Sequence, residues 1–281
     1  MEIISKNKCH GGTLQVIEHE SVTLACTMKF SLFLPPQISQ EKVPFITFLS
    51  GLTCTHDNFT TKANAYAQAT KDGVAILTPD TSPRGDDVPD DADSYDFGKG
   101  AGFYINATQQ PWVKNYQMED YVVEELNQLV CEKFPVDLNK QGIGGHSMGG
   151  HGALTLYLKH PDKYKSASAF SPIVAPTQVP WGKKAFSRYL GENSKQWLKH
   201  DATALMTASD NRAEFHEILI DQGTNDQFLD VQLRPDLFAT ACETASQQLK
   251  LRMQEGYDHS YYFIQTFIND HVHHHSEILK K

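Results

Sequence analysis

The sequence predicts an α/β fold: a mostly parallel central sheet flanked by helices, with an antiparallel ribbon at the N-terminus. Three observations predict it. Short continuous apolar runs at residues 45–49, 74–78 and 167–171 have the length and composition of strands buried on both faces of a parallel sheet. Segments with helical spacing separate them, and such alternation favours parallel strands joined by right-handed crossovers. At residues 141–152 one apolar strand turns abruptly into a glycine-rich helix, with Ser147 at the bend.

Residues 1–34 hold two β-type runs, 12–19 and 23–34, parted by a polar turn and closed by Pro35 and Pro36. These form the expected antiparallel edge ribbon. The strand at 45–49 ends in Ser50-Gly51-Leu52-Thr53-Cys54, and a helix over 60–71 leads through Asp72 and Gly73 into the strand at 74–78. Residues 80–112, rich in Asp, Pro, Gly and Tyr, are longer than an ordinary connection. Their aromatics, Tyr95, Phe97, Phe103, Tyr104 and Trp112, fit either an ordered flap over a site or a packed surface loop. A helix over 118–134 leads to the serine turn. Beyond it come the strand at 167–171 and an insertion over 172–208, expected to cap the core. A strand at 217–223, a helix over 237–254, a loop at 256–260 and a last helix over 261–272 complete the chain. No linker divides the 281 residues, so one domain, 1–281, is expected.

Hydrophobic residues make up 40% and charged residues 21%, which suits a globular chain with a sizeable core and excludes a disordered one. A net charge of −9 without a basic cluster argues against nucleic acid or an anionic membrane as partner. No stretch approaches transmembrane length, and the N-terminus lacks the apolar core of a signal peptide. A cytoplasmic location is therefore expected. The five cysteines, Cys9, Cys26, Cys54, Cys131 and Cys242, are scattered and lack metal-ligand spacing, so free thiols are expected.

The turn around Ser147 has the G-x-S-x-G form of a nucleophile elbow, in Gly145-His146-Ser147-Met148-Gly149. A serine hydroxyl is too weakly acidic to attack a carbonyl unaided, so it must stand clear of the backbone, beside a base and close to amide donors. Gly145 and Gly149, lacking Cβ atoms, allow the crowding of that turn. In the α/β-hydrolase order the acid and then the histidine follow the serine, each in a loop beyond a late strand. Among thirteen histidines, His259 lies in such a loop. His146 and His151 flank the serine but point the wrong way to take its proton, and His273, His274 and His275 read as a surface helix rather than a metal site. Asp226, in the loop after Gly223, is favoured as the acid. Asp221 lies inside the strand run, where packing would hold it, and Asp258 beside the histidine is a weaker rival. The oxyanion donors are expected to be the backbone N–H groups of Met148 and of Leu52, in the loop after the early strand.

Five segments together resemble the S-formylglutathione hydrolases of the esterase D family: residues 49–55, 101–104, 145–153, 180–186 and 256–263. The resemblance spans nearly the whole chain. It implies the α/β-hydrolase fold, a cytosolic dimer, as in many members, and hydrolysis of S-formylglutathione to glutathione and formate in formaldehyde detoxification. It assigns Ser147, Asp226 and His259 as the triad and Leu52 with Met148 as the oxyanion pair. Cys54 matches a family cysteine near the oxyanion loop that is linked to sensitivity toward thiol reagents. The chemistry calls for no cofactor and no metal.

Two other readings remain open: a general carboxylesterase or sugar-acetyl esterase with the same triad, and a non-catalytic binding protein that keeps the fold. The substrate also poses a charge conflict, since a glutathione thioester is a net anion and the protein is at −9. Recognition must then come from a local patch. Trp181 is expected to wall the site, with Lys183, Lys184 and Arg188 as candidate cations near it, or else as a solvated face. A formyl group is the smallest acyl, so a tight acyl pocket is expected.

Overall fold

In the computed structural model, which describes residues 1–281, the chain opens with an antiparallel meander of three strands. These are β1 (Glu2–Cys9), β2 (Gly12–Ser21) and β3 (Cys26–Leu34). The ribbon expected from the sequence has two strands; β1 is additional. Its side chains are almost all exposed, so it shows no apolar alternation by which to read it. A two-residue turn sets its register: Cys9 pairs with Gly12, and both intervening residues, His10 at φ +44° and Gly11 at +81°, take the left-handed conformation that matches strand twist.

Next come β4 (Val43–Leu49), α1 (His56–Lys62), α2 (Tyr66–Lys71) and β5 (Ala75–Pro79). The single helix expected over 60–71 is thus two, parted where Asn64 turns to φ +58°. Thr55 caps α1 in a reciprocal box with Asn58, which starts the helix four residues earlier than its apolar spacing indicates. α3 (Met118–Asp120), a π-helical stretch at Tyr121–Leu126 and α4 (Asn127–Lys133) then run on without a break. β6 (Val136–His146), α5 (Met148–Lys159) and β7 (Tyr164–Phe170) form the centre of the molecule. The insertion carries α6 (Pro180–Leu190), α7 (Ser194–Trp197) and α8 (Ala202–Thr207). β8 (Ile218–Gly223), α9 (Pro235–Thr244), β9 (Leu249–Gln254) and α10 (Tyr261–Leu279) close the chain.

The helix expected over 237–254 needs correction. It ends at Thr244, Ser246 sits at φ +58°, and residues 249–254 pair in parallel with β8 as the far edge of the sheet.

Nine strands form one sheet in the order β1-β2-β3-β5-β4-β6-β7-β8-β9. β4 to β9 are mutually parallel, and β3 joins β5 antiparallel. This is the α/β-hydrolase architecture. The central register pairs Leu49 with Gly145, Gly145 with Ala169, and Phe170 with Asp221. The carboxyl ends of four strands therefore stand level, and their loops open on one edge, where ligands of parallel sheets are held. Apolar side chains cover both faces: Phe45, Ile143, Leu154 and Phe186 belong to one core, and Ile46, Phe48, Phe59, Ile268 and Val272 to the other. That two-sided burial explains the continuous apolar runs.

The histidines of α10 do not form the surface helix expected of them. His275 is buried with its ring nitrogens 2.6 Å from Ser166 Oγ and 2.9 Å from Ser168 Oγ, and His271 stacks on Phe170 at 3.8 Å. The 273–275 triplet spans the buried and exposed faces because α10 packs its inner face on β7, leaving only His273 of the three exposed.

Candidate active site

The strand-to-helix turn between β6 and α5 places Ser147 at φ +58° and ψ −120°, a conformation costly for a residue with a side chain and typical of functional sites. Two glycines make room for it. A Cβ on Gly145 would lie 2.1 Å from the Gly149 carbonyl oxygen, and one on Gly149 would lie 1.9 Å from that of Leu49, so α5 sits too close to the sheet for any larger residue. The Ser147 N–H donates to the Phe170 carbonyl at 2.9 Å. Met148 opens α5, so its N–H is among those without a carbonyl partner within the helix.

The loop after β4 is held from several sides. Tyr104 donates to the Ser50 carbonyl at 2.8 Å, the Thr53 N–H to Gly100 at 3.0 Å, and Arg84 Nη2 to the Cys54 carbonyl at 3.0 Å. None of the loop's backbone hydrogen bonds uses the Leu52 N–H. A Cβ on Gly51 would lie only 3.1 Å from Ser147 Cβ, so this loop passes directly against the elbow. The Leu52 N–H, in a residue lining the same cavity as Ser147, is thus without a backbone acceptor, as is expected of the Met148 N–H in the first turn of α5.

Asp226 and His259 meet from separate loops. His259 Nδ1 lies 2.6 Å from Asp226 Oδ2. Because a carboxylate can only accept, the proton sits on Nδ1 and the Nε2 lone pair is left to act as a base. Asp226 also accepts from the Phe228 N–H at 2.9 Å and from Gln222 Nε2 at 3.2 Å. Burial pushes its carboxyl pKa up, but the His259 contact, with the Phe228 N–H and the Ser171 side chain, outweighs burial and holds it below the ordinary carboxylate value. Ser147 and His259 line the same cavity with no hydrogen bond between them, as is common before substrate draws catalytic groups together.

The competing acids are engaged elsewhere. Asp221 is fully buried, bound by Arg252 Nε at 2.7 Å, His271 Nε2 at 3.0 Å and Gln254 Nε2 at 2.9 Å. Asp258 accepts from the Ser260 N–H at 3.0 Å and its hydroxyl at 2.6 Å, which fixes the start of α10.

The cavity is small, about 190 Å³. Trp181 is on its lining, with its indole N–H donating to Tyr95 Oη at 3.0 Å and its ring 4.7 Å from Phe228. Phe228 stands edge-on to His259 at 5.1 Å, so the aromatic wall continues to the imidazole. Cys54 and His146 also line it. Burial raises the Cys54 thiol pKa, making it a poor nucleophile at neutral pH. His146 is buried with both ring nitrogens unpartnered; burial, and then the neighbouring His259, hold it neutral. Its ring lies 4.5 Å from that of His259.

Tyr95, Phe228 and His146 were not singled out from the sequence as lining residues. The local signals were there: His146 directly precedes Ser147, Phe228 follows Asp226 by two positions, and Tyr95 lies in the long aromatic loop. Of the long loop's aromatics, Tyr95 reaches the cavity while Phe97, Phe103 and Tyr104 are buried in the core.

The candidate cations of the insertion require correction, for none of the three lines the cavity. Lys184 pairs with Asp96 and Ser94, and Arg188 pairs with Asp91 while its guanidinium lies 3.8 Å over the Phe97 ring. They fasten the 80–112 loop to α6, and Lys183 points its charge into solvent. No group of three or more His, Cys, Asp and Glu side chains is arranged to hold a metal ion, and no helix is long and apolar enough to cross a membrane.

Residues 21–274 match the model of the Esterase family, described as "Putative esterase". The chain is 52% identical over 277 residues to the S-formylglutathione hydrolase of Rattus norvegicus, covering 98% of each. It is likewise 52% identical over 279 residues to that of Arabidopsis thaliana, covering 99% of this chain and 97% of the relative. Among solved structures, the S-formylglutathione hydrolase of Agrobacterium tumefaciens superposes with a TM-score of 0.96 at 48% identity, covering 99% of this chain and 100% of that one.

Proposed function

The chain belongs to the S-formylglutathione hydrolase family of esterases, and from that premise we propose that it hydrolyses S-formylglutathione to glutathione and formate through an acyl-enzyme on Ser147. The observation that carries the mechanism is the 2.6 Å contact between His259 Nδ1 and Asp226, across one small cavity from a serine held at an elbow. His259 Nε2 takes the Ser147 proton as Oγ attacks the thioester carbonyl. The Leu52 and Met148 N–H groups receive the oxyanion, glutathione leaves as the thiolate or thiol, and the same imidazole then activates water on the formyl-enzyme. Asp226 fixes the tautomer and stabilises the imidazolium. A thiolate leaves readily, so proton delivery matters less here than in an amide hydrolase. Short-chain esters that fit the cavity are side substrates.

We read residues 1–281 as one domain, because a single sheet joins both halves, and the family likeness as pointing to a cytoplasmic homodimer, which light scattering would test. A general carboxylesterase shares the same catalytic groups, and the near-full-length likeness to S-formylglutathione hydrolases favours the formyl reading over it. The test is kcat/KM for S-formylglutathione, S-acetylglutathione and acetylated sugars on one preparation. The formyl thioester should be best by at least about tenfold, the effect of one added carbon in an unyielding pocket; equal rates would return the protein to the general carboxylesterases.

A further inference from the structure

The cavity holds a nucleophile, a base and oxyanion donors, but no cation. The leaving half of the substrate proposed above nonetheless carries two carboxylates, and the protein is at −9. The cations on either side are mostly spent. Arg84 pairs with Asp80, Lys184 with Asp96 and Arg188 with Asp91. Three lysines close in sequence to lining residues make no ion pair with a carboxylate: Lys62, Lys99 and Lys183.

Of these, Lys62 is the one whose ammonium group lies over a ring that neighbours a lining residue. It ends α1, the helix that begins two residues after Cys54, and its Nζ lies 5.7 Å over the ring of Tyr261. Tyr261 follows His259 by two residues, and its ring is 6.1 Å from that of His146. The positive charge of Lys62 is also felt at the Cys54 thiol, whose pKa it lowers against the larger effect of burial. The opposite end of α1 meets a groove of about 650 Å³ whose five carboxylates, Glu18, Glu20, Asp80, Asp86 and Asp87, outnumber its two cations, Lys29 and Arg84, which pair with Glu18 and Asp80. An anionic arm leaving the cavity along α1 is therefore repelled at the His56 end and attracted at the Lys62 end. The scale fits, since seven helical residues rise about 10 Å and an extended tripeptide spans about the same.

We propose that Lys62 anchors a carboxylate of the glutathione half of the substrate, an inference that rests on the thioester reading above. The site is exposed, so the pair is screened and of modest strength, which suits a product that must leave. Its charge acts on binding and lies outside the acyl-transfer machinery.

Steady-state kinetics of the full chain test it, with S-formylglutathione and the uncharged p-nitrophenyl acetate as paired substrates. Lys62→Gln should raise KM for S-formylglutathione about fivefold with kcat unchanged, the range of an exposed ion pair. Lys62→Glu should raise it further, and Lys62→Arg should restore most of the loss. All three should leave the neutral ester unaffected, and added salt should raise the thioester KM of the wild type more than that of Lys62→Gln. Lys99→Gln and Lys183→Gln serve as controls. An unchanged thioester KM in Lys62→Gln, an equal loss on both substrates, or the effect appearing in a control overturns the anchor. A wild type that fails to hydrolyse S-formylglutathione overturns the thioester reading and the anchor together, and so is distinguishable from failure of the anchor alone.

Discussion

Two aspartates lie on either side of the end of β8, and exchanging each for asparagine should separate catalysis from stability. Asp221 is fully buried and held by Arg252, His271 and Gln254. Burial alone would raise its pKa, but the His271 and Arg252 contacts outweigh burial and hold it at about 2, against an ordinary value of 3.8. A carboxyl held that low contributes about 2 kcal/mol at neutral pH. Asp221→Asn loses this and leaves Arg252 beside a neutral amide, so the total cost should lie at about 2–4 kcal/mol, below the full penalty for breaking a buried pair because Arg252 is partly solvated. For a chain of this size that is a fall in Tm of roughly 3–7 °C, with kcat near wild type. Asp226→Asn should do the opposite: Tm within a few degrees, and kcat lower by about a thousandfold or more, because the amide no longer dictates the imidazole tautomer. Thermal unfolding and esterase turnover on the same preparations decide between them. A stable but inactive Asp221→Asn beside an active Asp226→Asn would refute the assignment of the acid.

The pH dependence of stability should carry the same signature. Asp221, and likewise Glu119 of α3, where contacts with His160 and Lys159 outweigh burial, are held at about 2 in the folded chain, so their stabilisation is present above pH ~4 and is lost as pH falls towards 2; urea midpoints across that window should fall more steeply in the wild type than in Asp221→Asn, and equal slopes would contradict it. Ser147→Gly should abolish turnover yet raise stability by about 1 kcal/mol, since glycine relieves the positive φ; an unchanged or lower unfolding midpoint would deny that strain is stored there. Gly149→Ala should unfold the elbow or fail to fold, given the 1.9 Å approach to the Leu49 carbonyl, and a stable, active Gly149→Ala would refute that packing. Bulky thiol reagents should inhibit through Cys54, slowly at pH 7 because its thiol pKa is raised and faster as pH climbs towards 9, while Cys54→Ser stays active and resistant; equal inhibition of that variant would move the reactive thiol elsewhere.

What could be read from the sequence was what local chemistry enforces. The elbow is legible because two glycines and a serine at that spacing, between an apolar strand and a helix, have few other uses. Asp226 was separable from Asp221 because one follows Gly223 into a loop and the other lies within the strand. β1 was illegible since an exposed edge strand has no apolar face to alternate. β9 was disguised by its residue types: Leu249-Lys250-Leu251-Arg252-Met253-Gln254 alternates with period two, yet every one of those residues also favours a helix, and the left-handed turn at Ser246 that divides it from α9 leaves no glycine to mark it. The ion pairs that take Lys184 and Arg188 join residues about ninety positions apart, which no window along the chain can see. The buried face of α10 depends likewise on what packs against it.

The central claim is that the formyl group passes through Ser147. Rapid chemical quench of the wild type with S-formylglutathione, followed by mass analysis of the peptides, tests it most directly. A formyl increment confined to the peptide bearing Ser147, appearing within the first turnover, persisting longer when Asp226 is replaced by Asn, and absent from Ser147→Ala, is the predicted result. A formyl group on Cys54, or turnover in Ser147→Ala with no adduct at all, would contradict it.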